Sequence, residues 1–156
     1  MRRSVVVSVC LVSTVVGVAV FGARVAASAG GLIQLVAFGA QDVYLNANGT
    51  GGVMLQTTGP TDVVTQTVTY PAGATSGWHY SEGVALVAVT HGAATVYQAD
   101  CSSRTYSAGQ AFTESGRHPT LLANSSHATL VIYETHVVSH GSPLQTGQPN
   151  PGCSAN

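Results

Sequence analysis

Val84-Ala85-Leu86-Val87-Ala88-Val89-Thr90 runs into His91-Gly92 and then into Ala93-Ala94-Thr95-Val96-Tyr97-Gln98, and this stretch decides the fold class. Two short apolar, β-branched runs separated by a glycine-bearing turn read as strand, turn, strand. The first run is apolar at nearly every position, the pattern expected of a strand buried on both faces. Upstream, residues 62–70 alternate: Val64, Gln66, Val68 and Tyr70 share one face, and Val63, Thr65, Thr67 and Thr69 the other. Pro71-Ala72-Gly73 breaks that strand.

Working outward, further strands are expected at residues 104–107, 110–114, 119–123 and 128–138, with an opening strand over residues 30–45 that ends in a turn at Asn46-Ala47-Asn48-Gly49. Residues 50–59 are loosely patterned. No segment after residue 30 places apolar side chains at helical spacing behind a cap, so no long helix is expected. The chain is all-β, and many short strands punctuated by glycine fit a sandwich or a barrel equally.

Its 156 residues allow one domain. Arg2 and Arg3, an apolar run over residues 5–22 and Ala27-Ser28-Ala29 have the form of an export signal (residues 1–29) with a small-residue cleavage site. The same run approaches the length of a membrane span; the cleavage site favours removal, which limits membrane contact to the signal and sends the mature chain to the envelope or outside the cell. The expected layout is then an N-terminal strand or arm over residues 30–61, the β-domain over 62–140 and a tail over 141–156. Losing the signal removes Cys10 and leaves Cys101 and Cys153, an even count in an oxidising compartment, so a disulfide is expected. It would tie down a Pro- and Gly-rich tail with few apolar residues of its own.

Beyond the signal only Arg104 and Arg117 stand against six carboxylates, the wrong balance for a phosphate backbone, so no nucleic-acid partner is expected. The chain has no lysine, which excludes Schiff-base chemistry, and it has no G-x-S-x-G elbow, phosphate loop or cysteine pair at zinc spacing. Asn48-Gly49-Thr50 and Asn124-Ser125-Ser126 match the glycosylation acceptor pattern.

From residue 70 to 138 the order of turns, histidines and strands resembles the cupin superfamily, whose motifs run G-x5-H-x-H-x3,4-E-x6-G and roughly G-x5-P-x-G-x2-H-x3-N. The first lies over Gly73 to Gly92 with Gly77-Trp78-His79-Tyr80-Ser81-Glu82-Gly83 inside it, and the second over Gly109 to Asn124 with Gly116-Arg117-His118-Pro119-Thr120 inside it. Gly73, Gly92 and Gly109 fall at strand ends where a turn calls for positive φ. Together with Arg104-Thr105-Tyr106 and Pro149-Asn150-Pro151-Gly152-Cys153, these residues look like those of small exported actinobacterial proteins of one cupin domain. The resemblance implies a single antiparallel, jelly-roll-like β-barrel, and a bacterial origin would make both glycosylation patterns accidental.

Cupins that resemble this chain hold Fe, Mn, Ni, Zn or Cu through three histidines and a glutamate. Carried over position by position, His79 matches the first ligand, while Ser81, Ala85 and Thr120 stand where the other three belong. A hydroxyl is a weak ligand for these metals and a methyl group is none. A replacement set is His79 and His118 with Glu82 or Glu114, two imidazoles and a carboxylate. Otherwise His79 and His118 are hydrogen-bonding groups in a wet cavity. His91, His127, His136 and His140 have no ligand spacing and read as surface or satisfied histidines, and Tyr97, Tyr106 and Tyr133 as core or cavity lining.

Three functions follow. The first is an exported cupin binding a small, neutral or apolar molecule at the barrel mouth among Trp78, His79, Ser81, His118, Thr120 and Tyr133. The second is a metal-dependent oxygenase or isomerase with His79, His118 and Glu82 as ligands. The third is a structural homodimer in which residues 31–38 cross to a partner as an edge strand.

Overall fold

The computed structural model describes residues 34–154. The expected signal and its cleavage site lie outside the described residues. Twelve strands follow in order: β1 Gln34–Val43, β2 Asn46–Asn48, β3 Met54–Gln56, β4 Thr61–Tyr70, β5 His79–Ser81, β6 Val84–His91, β7 Ala93–Gln98, β8 Ser103–Ser107, β9 Ala111–Ser115, β10 Thr120–Ala123, β11 Leu130–Ser139 and β12 Gln145–Gly147. One five-stranded sheet has the order β1-β4-β11-β6-β9, and the second has the order β12-β5-β10-β7-β8. All pairings are antiparallel.

Counting β4 to β11 as strands one to eight, the two sheets read 1-8-3-6 and 2-7-4-5. That interleaving is the eight-stranded jelly roll, two Greek keys folded face to face. β1 extends the first sheet by pairing with β4 of its own chain, and β12 extends the second by pairing with β5. The residues expected to form a turn, Asn46 to Gly49, instead include β2, which pairs with β3 across a 3-10 turn at Thr50–Gly52.

The core lies between the sheets at one end. Val68, Tyr70, Val87, Val89, Leu122, Leu130 and Ile132 are buried together, with Tyr106 and Phe112 stacked against them at 4.6 Å between ring centroids. Each fully buried Leu, Ile or Val there contributes about 1.5–3 kcal/mol. Their burial follows from strict alternation. β11 buries Leu130, Ile132, Glu134, His136 and Val138, and β6 buries Ala85, Val87 and Val89.

β6 therefore corrects the expectation of a strand covered on both faces: Val84, Leu86 and Ala88 are exposed, because the second sheet covers only the inner face. Gly92 takes φ +77° at the turn after β6, as its position suggested. At the other end of β6 chain packing sets the residue type, since a Cβ on Gly83 would stand 2.1 Å from the Val137 carbonyl oxygen.

Asn124 closes the apolar end of the barrel. Its buried side-chain amide donates to the carbonyls of Tyr70, Pro71 and Ala128 at 2.9, 3.1 and 2.8 Å, while its Oδ1 accepts from the Ser126 amide and hydroxyl. An amide so engaged is no accessible sugar acceptor.

Cys101 and Cys153 are joined by a disulfide with 5.3 Å between Cα atoms. The tail has a second anchor in β12, and the Gln148 amide donates to the Trp78 carbonyl at 2.8 Å.

Candidate functional site

Polar residues occupy the other half of the interior. On the inner face of the first sheet, Glu114 of β9 is paired in register with Ala85 of β6, and Ala85 with His136 of β11. One row nearer the apolar core, Phe112, Val87, Glu134 and Gln66 pair in the same way across β9, β6, β11 and β4. From the opposite sheet His79 and Ser81 of β5 and Thr120 of β10 complete the set, His79 and Thr120 being register partners. All of these polar residues are buried.

They form two clusters. In the first, Glu114 joins the sheets: its carboxylate receives the Ser81 hydroxyl, the Thr120 hydroxyl and His79 Nε2, each at 3.4 Å. Three contacts at the outer limit of hydrogen bonding hold this carboxylate loosely. His79 Nδ1 lies 3.0 Å from the Gly77 carbonyl, which can only accept, so the ring donates there. Burial works against charge on His79, but the Glu114 carboxylate outweighs it, aided by the Gly77 carbonyl and Glu134, and raises its pKa above the ordinary value.

In the second cluster, the Gln66 side-chain amide donates to Glu134, and His136 Nε2 lies 3.2 Å from both Gln66 Nε2 and Glu134 Oε2. His136 is fully enclosed, and its Nδ1 is buried with no hydrogen-bond partner. Tyr70 lies beneath both clusters. Burial, then Glu134 and Glu114, push its phenol well above the usual value, so it stays neutral.

No protein-family model matches this chain, and no curated protein does. Solved structures do. A recombinant oxalate oxidase in complex with glycolate aligns over 55% of this chain and 45% of its own, at 16% identity and TM-score 0.47. A cupin superfamily protein from Desulfitobacterium hafniense aligns over 68% of this chain and 79% of its own, at 9% identity and TM-score 0.47. A cupin domain of an XRE family transcriptional regulator from Enterobacter cloacae covers 49% and 80%, at 19% identity and TM-score 0.42. This chain thus spans less than half the length of that oxalate oxidase. Strand order rather than the extent of superposition defines the fold, since 1-8-3-6 facing 2-7-4-5 is the jelly roll that cupins share with other double-sheet β proteins. The fold is an antiparallel jelly roll of the kind cupins have.

The four positions that the motif resemblance assigns to metal ligands read His79, Ser81, Ala85 and Thr120, and the polar three reach Glu114 from buried positions. The residues do not fit a metal. Among the described residues no group of three or more His, Cys, Asp or Glu is arranged to hold one. The replacement triad also fails to assemble. His118 is exposed beyond the end of β9, and Glu82 accepts from the Thr146 hydroxyl of β12.

Two more expected pocket residues lie elsewhere, both because side chains alternate along a strand. Tyr133 sits between the inward Ile132 and Glu134 and is 48% exposed on the outer face. Trp78 precedes the inward His79 and packs in a separate cluster with Leu121, Ala123 and Cys153, flanked by Tyr97 under the tail. Of the six expected pocket residues, His79, Ser81 and Thr120 come together. Gln66, Glu134 and His136 were missed. The available signal was a glutamine within the apolar register of β4, and a glutamate and histidine two apart on β11.

Proposed function

We propose that this protein is an exported cupin that binds a small polar molecule at the polar end of its barrel, with no transition metal at the cupin ligand positions. One observation carries this reading: an imidazole nitrogen of His136 is buried without a partner, in an interior where the Glu114 carboxylate is held only by contacts of 3.4 Å. Buried polar groups are normally satisfied, and a site that leaves one open is completed by something it binds. The ligand differs in character from the neutral or apolar molecule that the sequence suggested, because the groups surrounding it are hydrogen-bonding and charged. Export rests on the form of residues 1–29.

The test pairs elemental analysis of protein purified without chelators with a thermal-shift screen of small polar metabolites. A ligand present at about 100 times its Kd adds about 2.7 kcal/mol of stability, a shift of several degrees for a domain this size. The expected result is no stoichiometric metal, and a stabilising ligand whose effect is lost in Glu114→Gln. A stoichiometric metal that disappears in His79→Ala overturns the reading.

A further inference from the structure

The strand that carries two residues of the site is held mainly by the tail. β5 has a single register pair with β10, His79 with Thr120, but three with β12: Ser81 with Gln145, Tyr80 with Thr146 and His79 with Gly147. Main-chain bonds to the tail bracket it at both ends. The Gln148 amide donates to the Trp78 carbonyl at 2.8 Å, and the Glu82 amide donates to the Leu144 carbonyl at 3.3 Å. The Thr146 hydroxyl adds a bond to the Glu82 carboxylate.

The tail itself has little to hold it. Of residues 141–154 only Cys153 is buried, in the cluster with Trp78, Leu121 and Ala123. Its disulfide leads to Cys101, in the turn between β7 and β8. In the second sheet, ordered β12-β5-β10-β7-β8, the bond therefore ties the segment that follows one edge strand to the hairpin at the opposite edge.

What the tail holds is sensitive to position. Two of the three groups that reach Glu114, the His79 ring and the Ser81 hydroxyl, come from β5, and each contact is 3.4 Å, at the outer limit of hydrogen bonding. A shift of β5 by roughly half an ångström away from β9 ends both.

We propose that the tail is a strap, closed by the Cys101–Cys153 disulfide, that positions His79 and Ser81 against Glu114, and that a dithiol reductant opens it. Cys101 is exposed and Cys153 buried, so a thiolate of the reductant attacks the Cys101 sulfur and Cys153 leaves as a thiolate. The second thiol of the reductant resolves the mixed disulfide. Two electrons and two protons pass to the cysteine pair, and the reductant ends as a disulfide. As a control on what the polar end binds, the strap rests on the reading above, but its own test needs no ligand.

The experiment follows amide hydrogen exchange, peptide by peptide, in the full mature protein before and after dithiothreitol, and records the ring signals of 15N-labelled histidine on the same samples. Opening should quicken exchange about tenfold or more in residues 145–148 and 79–82 alike, move the His79 ring signal, and leave β4 and β11 protected. Reoxidation should restore the starting state. Thr146→Pro keeps the disulfide, sets a residue with no N–H opposite Tyr80 and removes the hydroxyl bond to Glu82, so it should loosen β5 without reductant. It decides the matter if reduction unfolds the whole chain. Residues 79–82 unchanged in Thr146→Pro, or unchanged beside a rapidly exchanging 145–148 in the reduced protein, overturn the positioning role. A reduced tail as protected as the oxidised one overturns the disulfide as its clasp. Each of these failures leaves the binding reading standing; that reading fails instead if no ligand stabilises the oxidised protein.

Discussion

The Asp62 carboxylate accepts from the His140 ring at 2.7 Å and, through its second oxygen, from the Gly141 amide at 2.9 Å, so that β4 is latched to the chain leaving β11. The Asp42 amide adds a third bond at 3.1 Å. The His140 ring and these amides hold the Asp62 pKa below its ordinary value of 3.8, and Asp62 in turn raises that of His140 above 6.5.

Stability should therefore have a pH window. A lowered carboxyl pKa stabilises fully above 3.8 and is lost as pH falls through the folded value; a raised imidazole pKa stabilises fully below 6.5 and is lost as pH rises through its folded value. The latch contributes most between those limits. Urea midpoints measured from pH 3 to 9 should show the plateau, and Asp62→Asn should flatten both edges. An unchanged profile in the variant removes the latch from the account.

Asn124→Ala removes the side-chain donor shared by the Tyr70, Pro71 and Ala128 carbonyls, of which Ala128 keeps the Ser126 hydroxyl. Counting lost bonds and unsatisfied buried acceptors, the loss should be about 2–4 kcal/mol in chemical denaturation. Asn124→Asp, which offers no amide donor, should not rescue it. A loss of less than about 0.5 kcal/mol, the size of an ordinary surface change, would show that the carbonyls find other partners.

Replacing Cys101 and Cys153 together by serine opens a loop with a sequence separation of 52 and should cost about 4 kcal/mol at most. The same change loosens the tail over Trp78, the sole tryptophan, so its emission should shift to the red in the folded variant. Emission identical to that of the oxidised protein would mean that β12 alone keeps the tail in place.

The ligand positions can be refilled. Ser81→His, Ala85→Glu and Thr120→His, made together beside His79, should convert the polar end into a metal site, read as about one equivalent of transition metal by elemental analysis. A folded triple variant that takes up no metal would mean that these positions do not converge as the motif requires.

Much of this architecture was legible in the amino acids because alternation and turn residues carry it. The register of β4 placed Gln66, Val68 and Tyr70 on one face, and all three are buried. The disulfide followed from the cysteine count and the expected compartment. β11 was harder. Its two faces, Leu130-Ile132-Glu134-His136-Val138 and Val131-Tyr133-Thr135-Val137, are similarly apolar, and composition does not say which turns inward. With the inner face undetermined, His136 reads as a bystander and Tyr133 as pocket lining, the reverse of what folding produces. His118 misled for a different reason: the motif gives order along the chain, whereas exposure depends on where the loop after β9 departs from the sheet. β12 contains too few apolar residues to announce itself, and it forms because β5 offers an edge.

The separation of the barrel interior into an oily half and a charged half also divides labour between keeping shape and choosing a guest. Replacements at 81, 114 or 136 fall outside the plug formed by Leu122, Leu130 and Ile132. A scaffold laid out in this way lets selectivity drift, or be redesigned, while its cohesion is left intact.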